Sequence, residues 1–169
     1  MRRSSCVALI VAVVLLGVAG LLYLRGLDTQ AGPMTPQAAS AFLQRGKKAT
    51  EERDVEGIMD LISPNARILG QTPEQMRALL SRSMRELGSG HFTVVTNGVA
   101  AKQEGGKAYI SFDMDLDQHT SAADTHYYHA HISLALEKVR ATHWMGLFHT
   151  EDWKILSLDS DVPLDVPVP

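Results

Sequence analysis

The sequence predicts an α+β protein, an N-terminal transmembrane helix followed by helices packed on one face of a curved antiparallel sheet. Three observations carry this. A charge-free apolar run extends from Cys6 to Leu24. Apolar residues then recur at helical spacing between Phe42 and Leu87, and two later segments alternate apolar and polar residues with a period of two. A chain of 169 residues has room for one such domain and little more.

The N-terminal run follows Met1, Arg2 and Arg3. As a helix rising about 1.5 Å per residue it matches the ~30 Å hydrocarbon thickness of a bilayer. A cleaved signal peptide also starts basic and apolar, but its apolar core is usually only ~7 to 15 residues long. Cleavage after Val18-Ala19-Gly20 would leave Leu21, Leu22, Tyr23 and Leu24 as an exposed apolar terminus. An uncleaved anchor is therefore the expectation for residues 1–25, with secretion after cleavage as the alternative. The flanking basic residues, Arg2 and Arg3 before the run and Arg25 with Asp28 after it, favour a cytoplasmic N-terminus and an extracytoplasmic domain.

Residues 26–36 lack apolar periodicity and are predicted to form a flexible linker. The globular domain is expected over 37–161. Thr35-Pro36 offers a cap and a first-turn proline, after which Phe42, Leu43, Ala49, Val55, Ile58, Met59 and Ile62 continue as one long helix or two in tandem near Asp54. Ser63-Pro64-Asn65 ends it. Thr72-Pro73-Glu74 opens a further helix carrying Met76, Leu79, Leu80, Met84 and Leu87, with Gly88 as its C-cap.

Strands are predicted over 91–101, 107–117, 125–139 and 152–159, the first two joined by a glycine-containing hairpin turn at 102–106. Ala108, Ile110, Phe112, Met114 and Leu116 alternate with Tyr109, Ser111, Asp113, Asp115 and Asp117; Tyr128, Ala130, Ile132, Leu134 and Leu136 alternate with Tyr127, His129, His131, Ser133 and Ala135. One sheet face is thus apolar, and the preceding helices are available to cover it. The tail 162–169 holds three prolines and is expected to be extended and flexible.

Charge and cysteine content narrow the partners. From Gly26 onward there are 13 Lys and Arg against 19 Asp and Glu, a net charge of −6. That sign disfavours nucleic acid, whose phosphates need clustered cations. Cys6 is the only cysteine, which excludes an intrachain disulfide and a cysteine-based metal cluster.

Two phrases and the order of elements resemble a known superfamily. Glu51-Glu52-Arg53-Asp54-Val55-Glu56-Gly57-Ile58-Met59-Asp60-Leu61-Ile62-Ser63-Pro64-Asn65-Ala66 is similar to the helix and Pro-Asn-Ala turn of NTF2-like proteins, the group that includes the SnoaL-like proteins and ketosteroid isomerase. Thr150-Glu151-Asp152-Trp153-Lys154-Ile155 resembles their closing turn and Trp-Lys-Ile strand. The resemblance spans Thr35 to Asp161. It implies a cone whose helices and sheet enclose a pocket, and pairing of two copies through the outward sheet face. It implies no single reaction, because such folds host enzymes, binding domains and assembly modules.

Enzymes of that superfamily place an acid or base inside the cone, often beside a tyrosine donor. The inward positions here are apolar, with Tyr128 the one polar handle, and Asp54 and Asp60 on the first helix are expected at a solvated face or a turn contact. A non-catalytic binding or assembly domain is therefore predicted, with a small-molecule isomerase, cyclase or hydrolase using Tyr128 and a helix acid as the alternative. Ile110, Phe112, Met114, Tyr128, Ile132, Leu134, Trp144 and Phe148 are the predicted pocket lining, suited to a small apolar ligand. The stretch from His143 to Phe148 is expected to cap the cone or continue the sheet, and is a candidate lid or partner surface.

All seven histidines lie at or after His91. His129 and His131 share a strand face, and a hairpin register pairing Asp115 with His129 and Asp113 with His131 makes acids and imidazoles cross-strand neighbours. Metal ligation at that patch lacks a nameable third ligand, so no metal site or cofactor is expected. Protonation of the histidines below about pH 6.5 would ease an acidic patch and favour pairing there.

Overall fold

The computed structural model describes residues 29–86, 91–119, 124–143 and 148–162. The predicted anchor, the predicted Gly88 cap and Trp144 lie outside the described residues, as does the tail beyond Val162. Among the described residues no helix is long and apolar enough to cross a membrane. The chain divides into two units, one comprising 32–138 and 153–169 and a smaller one comprising 1–31 and 139–152.

In the larger unit, the Thr35 side chain accepts from the Ala38 amide at 3.1 Å and Pro36 opens α1, Pro36–Glu51. Ala39, Phe42, Leu43 and Ala49 form its buried stripe at helical spacing. The helix stops in a Schellman arrangement. Asp54 N donates to Ala49 O (2.8 Å) and Arg53 N to Thr50 O (3.1 Å), with Arg53 in the left-handed region at φ 55°. Asp54 then caps the five-residue α2, Val55–Met59, by accepting from the Gly57 amide at 2.9 Å. The tandem alternative is thus the one realised, and the reason is the left-handed turn at Arg53 that ends the first helix before Asp54 caps the second.

After α2, Leu61, Ile62 and Ser63 are buried. Ile62 forms a parallel bridge with Ile155, through Ser63 N to Ile155 O (2.9 Å) and Ile155 N to Leu61 O (2.7 Å). Thr72 and Gln75 exchange bonds as a capping box at the start of α3, Pro73–Glu86. Met76 and Leu80 of α3 rest on a cluster of Met59, Ile62, Ala66 and Ile68, joined by Ile155 and Leu158, while Leu79 is 55% exposed.

The sheet is an antiparallel meander in the order β1-β2-β3-β4: β1 His91–Glu104, β2 Lys107–His119, β3 Asp124–His143 and β4 Phe148–Ser160. All four strands outrun their predicted limits. The β1–β2 turn shrinks from the predicted 102–106 to Gly105 and Gly106, because Lys102 and Gln103 stay paired with Tyr109 and Ala108 and Gly105 alone supplies the positive φ of 59°.

An irregularity in each of the β1–β2 and β2–β3 registers sets the phase of those strands. One lies between Asn97 and Ala100, where Gly98 has φ 63°. The other separates Leu116↔Tyr128 from Asp117↔His126, leaving Tyr127 as an extra residue on β3. Phe92, Val94, Ala108, Ile110, Phe112, Ala130, Ile132, Leu134 and Leu136 are buried on one face, and α1 packs against β1.

The stretch 26–36, predicted as a flexible linker, is bonded in its described part. Gly32 O accepts from Trp153 Nε1 (2.9 Å), and Met34 is buried with its amide donating to Gln103 Oε1 (2.8 Å). In the smaller unit, Thr29 forms a parallel bridge with Thr150: Thr29 N donates to His149 O (3.1 Å) and Glu151 N to Thr29 O (2.8 Å). Backbone groups leave no periodic trace in the side chains, so composition alone made this stretch resemble a tether.

Candidate functional site

Alternation along β2 and β3 sorts the candidate residues. Ile110, Phe112, Ile132 and Leu134 are buried and Met114 and Tyr128 half-buried on the apolar face, where Ile110 is opposite Leu134, Phe112 opposite Ile132, and Leu116 opposite Tyr128. Phe148 is the first residue of β4.

Tyr128, the polar residue predicted for this face, is engaged. Tyr128 Oη lies 2.7 Å from Ser160 Oγ and donates to Val162 O at 3.1 Å. The acids weighed as its partners are placed elsewhere: Asp54 caps α2, and Asp60 is exposed with its carbonyl accepting from Lys154 Nζ. Among the described residues the buried polar side chains are Ser63 and Gln118, neither of them ionisable.

Ser63 reveals an acid that the sequence pattern did not flag. Its hydroxyl donates to Glu137 Oε1 on β3, and the same oxygen accepts from Asn65 Nδ2 at 3.2 Å. Ser63 Oγ in turn accepts from the Asn65 amide at 3.0 Å. Glu137 thereby holds the Ser63-Pro64-Asn65 turn against the sheet. Ser63 and Glu137 lie 74 positions apart, so no local spacing could have linked them.

The opposite face carries an ordered array. Asp113 is bonded to His131 (2.8 Å), Asp115 to His129 (2.6 Å) and Asp117 to His126 (2.6 Å), in each pair between Oδ1 and the histidine Nδ1. A carboxylate accepts only, so each Nδ1 carries the proton and each neutral ring keeps Nε2 as its acceptor. The first two pairs follow the predicted register. The third depends on the bulge at Tyr127, which shifts His126 by one residue and brings it level with Asp117.

The array continues just past the end of β4, where Asp161 Oδ1 accepts from the His131 amide at 2.8 Å. The hydrogen bond that His129 donates to Asp115, and then the charge of Asp115 with those of Asp113 and Asp161, raises the His129 pKa above its ordinary value. Among the described residues no group of three His, Cys, Asp or Glu side chains is arranged to hold a metal ion.

Beside this array, on the same sheet, lies a groove of about 380 Å³. Ala100, Ser111, Ser133, Ala135 and Ser157 border it with small side chains, Lys102, Tyr109 and Asp159 with larger ones, and Tyr109 is 42% exposed. Ile110 and Leu134 also reach its border.

Helices over one face of a four-stranded antiparallel meander, with a polar array on the other, define an α+β domain of the helix-on-sheet class. No protein-family model and no curated protein matches the sequence. Solved structures do match in fold. Aln2 from a Streptomyces species superposes with a TM-score of 0.62 at 12% identity, over 78% of this chain and 93% of that one. An NTF2-like protein with a cystatin-like fold from Novosphingobium aromaticivorans gives 0.56 at 11% identity, over 75% and 80%. A protein of unknown function with a cystatin-like fold from Nostoc punctiforme gives 0.59 at 10% identity, over 83% and 100%. The chain has the NTF2-like fold.

Proposed function

We propose that this chain is a membrane-tethered, extracytoplasmic, non-catalytic assembly domain that pairs with a second copy through its outward sheet face. The observation that supports it most is the Asp–His array beside the small-residue groove. Its charges are arranged in rows across β2 and β3 with ordered partners, and Ser111, Ser133 and Ala135 let another surface approach the backbone closely. The engaged Tyr128 hydroxyl is in keeping with a domain that does no chemistry on that face. The tether rests on the charge-free run from Cys6 to Leu24 and on Arg2 and Arg3 before it.

Pairing is tested on the full chain in detergent by light scattering at about pH 6 and about pH 8, on either side of the ordinary histidine pKa. A dimer is expected, stronger at the lower pH, and Ser133→Arg should fill the groove and give monomer. A parent chain that stays monomeric at micromolar concentration, or a Ser133→Arg chain that dimerises as well as the parent, refutes the pairing. The tether is tested separately by carbonate extraction of membranes, which should leave the chain in the pellet.

A further inference from the structure

The bridge between Thr29 and Thr150 fixes where a tethered chain must present its surface. The apolar run ends at Leu24 and Thr29 follows five residues later. A fully extended chain covers at most ~3.3–3.6 Å per residue, so Thr29 can stand no more than about 17 Å from the end of the membrane segment. The predicted slack of residues 26–36 is therefore largely spent by residue 29, because Thr29 is bonded on both sides, to His149 O and from Glu151 N.

That anchorage brings the end of the β3–β4 hairpin with it. Thr150 Oγ1 lies 2.9 Å from His143 Nε2, which joins the last residue of β3 to the start of β4. Immediately before His143, Arg140, Ala141 and Thr142 are all exposed. The headgroup layer adds roughly 5–8 Å to each side of the hydrocarbon core, so much of the short reach is already inside it.

We infer that the exposed end of β3, Arg140–Thr142, is a membrane-docking surface that lies against phospholipid headgroups. This rests on the membrane-tethered reading proposed above. The Arg140 guanidinium matches the phosphates, to which it can donate in pairs while its aliphatic stem stays near the interface. Ala141 and Thr142 carry no charge that the headgroups would repel. The net charge of −6 beyond Gly26 gives the domain as a whole no attraction to an anionic surface, so the contact is set by the short covalent connection rather than by long-range charge.

The full chain carrying Cys6→Ser and Thr142→Cys, labelled at the new thiol with an environment-sensitive fluorophore, is reconstituted into phosphatidylcholine vesicles containing nitroxide-labelled lipid. The same chain is also made with about twelve Gly/Ser residues inserted between Arg25 and Gly26, enough to give a flexible coil of roughly 20 Å of extra reach. Lipid-borne nitroxide is expected to quench the parent's label severalfold more than that of the insertion variant, while both remain in the membrane after carbonate treatment. Equal quenching in the two chains, with both retained, overturns the docking surface and leaves the tether standing. Release of the parent by carbonate overturns both.

Discussion

The two faces of β2 and β3 are made by alternate residues of the same strands, yet they are held together by different physics. On the inner face Ile110, Phe112, Ile132 and Leu134 are removed from water, and their contribution scales with the apolar area buried. On the outer face Asp113, Asp115 and Asp117 meet His131, His129 and His126 in partly exposed pairs that water and salt screen. The inner face therefore carries the stability of the domain, and the outer face contributes little to it.

The largest break in that division should come from the inner face. Phe112→Ala is expected to cost about 3–5 kcal/mol, the range for truncating a buried phenylalanine, measured by chemical denaturation. A loss no larger than that of an outer-face substitution would contradict the division. Ser63→Ala should cost less, on the order of 1–3 kcal/mol, because it removes a fully buried hydroxyl that serves both Glu137 and the Asn65 amide. Adding Glu137→Ala to it should give less than the sum of the two single effects if the pair acts as one unit.

The smallest effect belongs to the outer face and is the most diagnostic. Bonding to Asp115 raises the folded His129 pKa above its unfolded value of about 6.5. Its contribution is thus complete below that value and is lost as pH rises through the higher folded value. The thermal midpoint of the parent should fall slightly relative to Asp115→Asn as pH rises from about 6 to about 8. Parallel midpoints for the two chains over that window would remove His129 as the titrating group.

How much was legible in the sequence follows from the range of each interaction. The period-two alternation from Ala108 to Leu116 and from Tyr128 to Leu136 is a local pattern, and it correctly assigned the faces, while the register supposed for the hairpin between them gave the Asp115–His129 and Asp113–His131 pairs. The Asp117–His126 pair was hidden, because strict alternation counts His126 onto the apolar face and only the bulge at Tyr127 returns it to the outer one. Glu137 was missed for a related reason, since its partners Ser63 and Asn65 come from a distant turn.

The segment before α1 shows the same boundary most plainly. Thr35-Pro36 and the spacing of Phe42, Leu43 and Ala49 announce the helix, because a cap and a helical face are properties of a few adjacent residues. The sequence by itself determined that helix, the faces of the strands and the apolar run at 6–24. Tertiary structure alone decided that Thr29, Gly32 and Met34 are bonded. Each pairs through a backbone N–H or C=O, groups that every non-proline residue carries alike, so only the folded chain says where they go.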